Sequence, residues 1–210
     1  DGVRLDTQGF LDYLTGRQTY RGQIAHIERH AERPARHAGS PAGLHPLLEA
    51  ALDVRGFSTL YSHQVESIAA TSRDENVVVA TGPASGKSLC YNIPVLDAYL
   101  NAPGRARAIY VFPTKALAQD QLRALKELTG PLPRPPVFDT YDGDTESGDR
   151  ASIRRSTDIV LTNPEMLHLG ILPNHRQWSR LFRGLKFVVI DEAHAYRGVF
   201  GSHLAFVIRR

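Results

Sequence analysis

The sequence predicts an α/β fold, a parallel sheet flanked by helices and preceded by an N-terminal extension. Three observations carry that expectation. From Gly56 onward, short β-branched runs alternate with stretches of helical spacing, the pattern of parallel strands joined by right-handed crossovers. One run, Asn76-Val77-Val78-Val79-Ala80, leads into a small-residue loop, Thr81-Gly82-Pro83-Ala84-Ser85-Gly86-Lys87-Ser88. A second, Phe187-Val188-Val189-Ile190, ends in Asp191-Glu192-Ala193-His194. Each loop therefore falls at the carboxyl end of a strand, the edge where open α/β sheets bind ligands.

The elements follow in order. Gly9 to Leu14 reads as a short helix stopped by Gly16, and Gln23 to Ile27 alternates like a strand. Pro34 to Pro46 is rich in Pro, Gly and His and reads as irregular. Leu44, Leu47, Leu48 and Leu52 then recur at helical spacing. Residues 1–55 are read together as an accessory extension packed on the main domain, and 56–210 as the main domain. Within it, helix 62–72 leads to strand 76–80, the small-residue loop and helix 87–100. Strand 107–112 leads to helix 115–129, with Ala116, Leu117, Leu122, Leu125 and Leu128 as its apolar face. Four prolines between 131 and 136 make a stiff connector to a strand near 137–141. Strand 158–162, a short helix opening at Asn163-Pro164, and strand 185–190 complete the pattern.

The two loops have complementary chemistry. Small residues let a backbone curl so that several N–H groups point at phosphate oxygens. Lys87 is then placed for the β and γ phosphates of a nucleoside triphosphate, and the Ser88 hydroxyl for Mg²⁺. The phosphate-loop pattern asks for Gly five residues before Gly86, where this chain has Thr81. The strand before and the helix after restore the context. Asp191 at the end of its strand suits a hydrated Mg²⁺, and Glu192 suits polarisation of an attacking water.

Three more loops follow strands on the same edge: Pro113-Thr114-Lys115, Tyr141-Asp142-Gly143-Asp144-Thr145 and Thr162-Asn163-Pro164-Glu165. Hydroxyls, amides, helix N-termini and a lysine grip a sugar-phosphate backbone without reading bases. Thr114, Thr162 and Asn163 are equally suited to cap the helices that follow. Upstream, the Gln64 amide offers a donor and an acceptor to an adenine edge, and Tyr61 a ring to stack on it.

Bulk composition narrows the class. No apolar stretch approaches the ~18 residues of a membrane helix. A single cysteine, Cys90, excludes an intramolecular disulfide and a Cys-based zinc site within this chain, and packing is its ordinary role. The net charge is +3, its positive side mostly arginine, which suits a polyanionic partner without demanding one. An intracellular setting is expected. Because the chain starts at Asp1 and finishes at Arg209-Arg210 inside a helical pattern, a longer protein is expected around it.

The ordered set of motifs resembles the first RecA-like domain of a superfamily-two DEAD/DEAH-box helicase. Its members are Tyr61 to Gln64, Ala80 to Ser88, Pro113 to Leu117, Tyr141 to Thr145, Thr162 to Glu165 and Asp191 to His194. Residues 115–121, 166–172 and 196–202 are similar to the subgroup of bacterial mitomycin-repair, mycobacterial superfamily-two and RecQ-four-like helicases. The resemblance implies a P-loop NTPase that uses ATP and Mg²⁺ to move 3′ to 5′ on single-stranded or partially duplex DNA in repair, in the bacterial cytoplasm and nucleoid. It implies Tyr61, Gln64, Thr81, Gly82, Ala84, Ser85, Gly86, Lys87 and Ser88 for nucleotide, Ser88 and Asp191 for the metal, and Lys87, Asp191 and Glu192 for catalysis. Pro113, Thr114, Lys115, Gly143, Asp144, Thr162 and Asn163 would hold the nucleic acid, and His194 would couple the site to the motor. A Ser/Thr-Ala-Thr segment, a second RecA-like domain with an arginine finger and a zinc-containing C-terminal region belong to the pattern and are not in this sequence. Two other readings compete: an RNA helicase domain, because backbone-gripping loops do not choose the sugar, and a nucleotide-binding recruitment scaffold. Retention of Lys87, Asp191 and Glu192 together argues against the scaffold.

Overall fold

The computed structural model describes residues 6–29, 34–39, 43–82 and 84–210. The chain divides into two compact units, Asp1–Ala35 and Arg36–Arg210. In the first, α1 (Thr7–Thr15) starts where the Asp6 carboxylate accepts the Gly9 N–H at 2.6 Å, and ends at Gly16. The alternation at 23–27 makes no strand; these residues are mostly exposed and unpaired in any ladder, and alternation without a partner edge does not hold a strand in water. Pro83 and part of the irregular 34–46 stretch lie outside the described residues.

The second unit opens with β1 (His37–Gly39), which pairs antiparallel with β2 (Leu60–Tyr61). Between them, α2 (Pro46–Val54) places Pro at its first turn and is capped by the His45 ring, which accepts the Leu47 N–H at 3.2 Å. The sequence division at 55/56 thus falls after a helix that belongs to the larger unit, because Leu48 and Leu52 of α2 are buried in its core. The helices α3 (Ser62–Ser72) and α4 (Lys87–Asn101) come next.

Four parallel strands form the main sheet: β3 (Arg107–Val111), β4 (Phe138–Thr140), β5 (Ile159–Thr162) and β6 (Leu185–Ile190), in the order β4-β5-β3-β6. All five residues of β3 are buried, as expected of a strand paired on both edges and covered on both faces. Its alternation sorts the core into two layers. Ala108, Tyr110 and Phe112 pack with α2, α3, α4 and α5 (Lys115–Thr129), whereas Ile109 and Val111 pack on the other face. That second layer holds α6 (Ser147–Ser156), a π turn at Leu167–Ile171 following the short α7 (Pro164–Met166), α8 (Ser179–Arg183) and α9 (Gly198–Arg209). Trp178, fully buried, meets the Tyr141 ring edge-on at 4.8 Å. In α5, Ala118 replaces the predicted Ala116 in the buried face.

Two departures matter for the site. The predicted strand at 76–80 joins no ladder, and Val78 is 93% exposed. Among the described residues no strand pairs with the outer edge of β6, and Val188 and Ile190 there are also exposed. The 76–80 segment and β6 instead flank one groove of about 810 Å³. Its β-branched run has strand propensity, but propensity without a neighbour to hydrogen-bond makes no ladder. The second departure is a bulge: β3 and β6 slip register between Arg107 and Ala108, so Leu185 faces one core layer and Phe187 and Val189 the other.

The amino ends of the strands are tied by Asp158. Its carboxylate accepts from Arg180 at 2.7 Å and from the Val137 N–H at 3.0 Å, and lies 3.7 Å from Arg107, with 5% of the side chain exposed. Burying a carboxylate costs several kcal/mol unless it is paired. Asp158→Ala leaves two arginines facing an uncompensated site, and should destabilise the protein by about 3–5 kcal/mol in a denaturant titration. Arg123→Ala, whose ion pair with Asp120 is exposed, should lose less than about 1 kcal/mol in the same titration.

Candidate nucleotide site and the carboxyl-edge loops

The parallel sheet sends every strand-end loop to one edge. Asp191 continues the ladder of β6, its N–H donating to Val111 O at 3.0 Å. Its two carboxylate oxygens are both held: Oδ1 accepts the Glu192 N–H at 2.8 Å and Oδ2 accepts the Tyr91 hydroxyl at 3.0 Å. Burial, and next the Asp191 charge, push the Tyr91 hydroxyl pKa well up, so that it remains a donor. Glu192 sits at φ +49°, in the left-handed region, a conformation costing a non-glycine residue about 1–3 kcal/mol. That turn aims its carboxylate back towards His194, whose Nδ1 lies 3.0 Å away.

The phosphate loop is shaped by two left-handed positions, Ala84 at φ +55° and Gly86 at φ +71°. Thr81, which stands where the pattern asks for glycine, bonds its hydroxyl to that of Ser85 at 2.7 Å and so ties the loop across its base. Lys87 turns back to donate to Thr81 O at 3.4 Å. Ser88 follows it in the first turn of α4. A flexible ammonium, a hydroxyl at a helix start and a backbone curled by two left-handed residues suit a triphosphate and Mg²⁺; Thr81 and Lys87 line the same groove as Asp191. Gly82 and Ala84 are exposed on the loop.

Gln64 is buried at 2% exposure with both ends of its amide engaged. Oε1 accepts the Tyr61 N–H at 2.8 Å, and Nε2 donates to Gly86 O at 2.9 Å. Here it clamps the start of α3 to the phosphate loop, with one Oε1 lone pair and one Nε2 hydrogen left over. His63 makes a parallel contact, its Nε2 lying 3.0 Å from Ser85 O. The Tyr61 ring stacks with His37 and His63, at centroid distances of 4.9 and 5.7 Å.

The other edge loops are internally occupied. Thr114 caps α5 by accepting the Leu117 N–H at 3.3 Å, and Asn163 caps α7 through the Met166 N–H at 2.8 Å. Thr162 is 1% exposed and donates to Tyr141 O at 2.7 Å, bracing two loops against each other. Lys115 pairs with Asp144 at 2.6 Å, which holds the lysine protonated, and Gly143 lies beside the same ammonium. Pro113 is half-buried at the head of this loop. The sequence reading missed Tyr91 and Gln121 as site neighbours. Tyr91 stands one helical turn after Lys87 and so shares its face, which was a usable signal; Gln121 closes the 115–121 stretch that carries the resemblance, with no site role attached to it. Cys90, beside Tyr91, is buried, and burial pushes its thiol up to about 11, away from nucleophile chemistry.

A doubly layered parallel sheet with a phosphate loop and an acidic strand end facing one groove defines a P-loop nucleotide-binding domain of the RecA-like kind. Residues 61–210 match the DEAD/DEAH box helicase family, and the chain belongs to that family. It is 47% identical over 178 residues to the Bacillus subtilis ATP-dependent helicase YprA, covering 85% of this chain and 24% of that protein. It is 42% identical over 202 residues to the Saccharomyces cerevisiae ATP-dependent helicase HRQ1, covering 95% of this chain and 18% of that one. Among solved structures, the DUF1998 helicase MrfA bound to DNA and AMPPNP matches with a TM-score of 0.82 and 47% identity, over 84% of this chain and 25% of that one. The chain thus spans a quarter or less of the length of these relatives.

Gly86 tests the loop geometry. A Cβ there would come within 2.6 Å of Gln64 Nε2, at a φ that L side chains rarely adopt. Gly86→Ala should weaken binding of a fluorescent ATP analogue about tenfold or more, the equivalent of the roughly 1–2 kcal/mol left-handed penalty alone. The melting temperature should fall only slightly, because the loop lies outside the core.

Proposed function

We propose that this chain is the nucleotide-binding half of an ATP-driven motor that moves along DNA. The observation that carries the reading is the single groove in which Thr81 and Lys87 face Asp191, Glu192 and His194. The relatives support it: two are named ATP-dependent helicases, and the MrfA structure holds DNA together with AMPPNP.

In this reading Lys87 binds the terminal phosphates, and Ser88 and Asp191 hold Mg²⁺, which when bound neutralises phosphate charge. Glu192 orients and deprotonates the attacking water. His194, its Nδ1 3.0 Å from the Glu192 carboxylate, passes the state of that carboxylate to the rest of the motor. Gln64 offers its remaining Oε1 lone pair and Nε2 hydrogen to the adenine edge. The loops at 113–115, 143–144 and 162–163 grip the nucleic-acid backbone: Pro113, Thr114 and Asn163 through the starts of their helices, Lys115 after giving up Asp144, and Thr162 by bracing from within. The direction is 3′ to 5′, the setting DNA repair in the cytoplasm or nucleoid. The second RecA-like domain and a zinc-containing region belong to the longer protein. Among the described residues no helix is long and apolar enough to cross a membrane.

Two measurements test this. An arginine finger contributes roughly 10³–10⁵ in rate, and here it is assigned to the portion of the relatives this chain does not span. Mg²⁺-ATP turnover by the 210 residues should be barely detectable with single-stranded DNA or RNA; brisk turnover would overturn the half-motor reading. In the full-length protein, Glu192→Gln should keep nucleotide affinity within a few-fold and lower turnover by about 10²–10⁴, the share of a general base. Stimulation by RNA and not by DNA would replace the substrate assignment.

A further inference from the structure

Tyr91 stands between two parts of the site with different tasks. Its ring is fixed from below by an edge-on contact with Tyr110 at 5.2 Å, and the Tyr110 hydroxyl is itself held by Asn92 at 3.0 Å. The Tyr91 hydroxyl therefore has a defined position, 3.0 Å from Asp191 Oδ2 and 3.1 Å from Gln121 Oε1. A phenol has one hydrogen and cannot donate to both. Asp191 as a carboxylate only accepts, whereas the two ends of an amide are exchangeable by a flip. With the Gln121 amide flipped, Nε2 donates to Tyr91 Oη and Tyr91 donates to Asp191.

Gln121 belongs to α5, the helix that begins at Lys115 directly after the Pro113–Thr114 loop. Gln121 lies six positions after Lys115, about 9 Å along a rigid helix. A shift of the loop end of α5 therefore moves Gln121, and with it the donor that orients the Asp191 carboxylate. We propose that Gln121 and Tyr91 are positioning residues forming a relay from the 113–115 loop to Asp191, through which a nucleic-acid backbone on that loop adjusts the geometry of the metal-holding carboxylate. The inference rests on the function proposed above.

The test uses the full-length protein, the variants Tyr91→Phe and Gln121→Leu, and their double mutant. ATP turnover is measured against Mg²⁺ concentration, with and without single-stranded DNA. Tyr91→Phe keeps the ring and removes only the hydroxyl. It should raise the half-saturating Mg²⁺ concentration about tenfold, the effect of losing a hydrogen bond to a charged group. Gln121→Leu should reduce the fold-stimulation by DNA towards one. The double mutant should be no worse than the more impaired single, since both act through one chain of contacts. A merely structural role would lower the melting temperature without moving the Mg²⁺ requirement or the stimulation ratio. A DNA-stimulated wild type whose Mg²⁺ requirement and stimulation survive in both variants, or fully additive losses, would overturn the relay alone. A wild type that hydrolyses no ATP in any condition would overturn the proposed function. The relay then stands or falls on Mg²⁺-dependent binding of a non-hydrolysable ATP analogue, where an equal Mg²⁺ requirement in wild type and Tyr91→Phe overturns it separately.

Discussion

The parallel ladder around β3 is the constraint on which everything else depends. Because β5 and β6 both run parallel to β3, and β4 parallel to β5, the loops after four strands are forced onto one edge. No residue in those loops has to find that edge by its own interactions. The backbone hydrogen bonds do it, and the two apolar layers packed on β3 keep the ladder from slipping, since a one-residue shift would turn Ala108, Tyr110 and Phe112 to the wrong face. Asp158 secures the opposite end of the same strands.

The site itself is built with conformations that an unconstrained chain avoids. Ala84 and Glu192 both occupy left-handed backbone without being glycine. Such strain persists only where neighbours over-determine it. For Glu192, those neighbours are the Asp191 Oδ1 contact to its N–H and the His194 contact to its side chain. For the phosphate loop they are the Thr81–Ser85 hydroxyl pair and the Gln64 and His63 contacts to the carbonyls of Gly86 and Ser85. Side chains of the types that meet a nucleotide are thus also the ones that shape the loop.

Much of the architecture was readable because its residues repeat at the period of their element. The helices at 62–72 and 115–129 and the strand at 185–190 begin and end where the spacing placed them. The helix at 147–156 was not readable: only Ile153 is buried in it, so no apolar stripe marks it. The failures at 23–27 and 76–80 share one cause. Both runs have strand-like composition, and neither has a ladder partner among the described residues. Pairing is a property of two segments and cannot be read from one.

The amino-acid sequence by itself determined the chemistry and its order: a loop of small residues ending in Lys87 and Ser88, and an acidic pair closing an apolar strand. Local patterning is enough for that, because phosphate and metal ligands are set by residue type and by the strand or helix that presents them. Only the tertiary structure decided which groups are free and which are already bound. It turned Gln64 to the backbone of the phosphate loop, buried Thr162 beneath Tyr141, paired Lys115 with Asp144, and brought Gln121, Tyr91 and Asp191 into one line. Each of these is a contact across elements distant in sequence, and its geometry exists only once the sheet and its two apolar layers have closed.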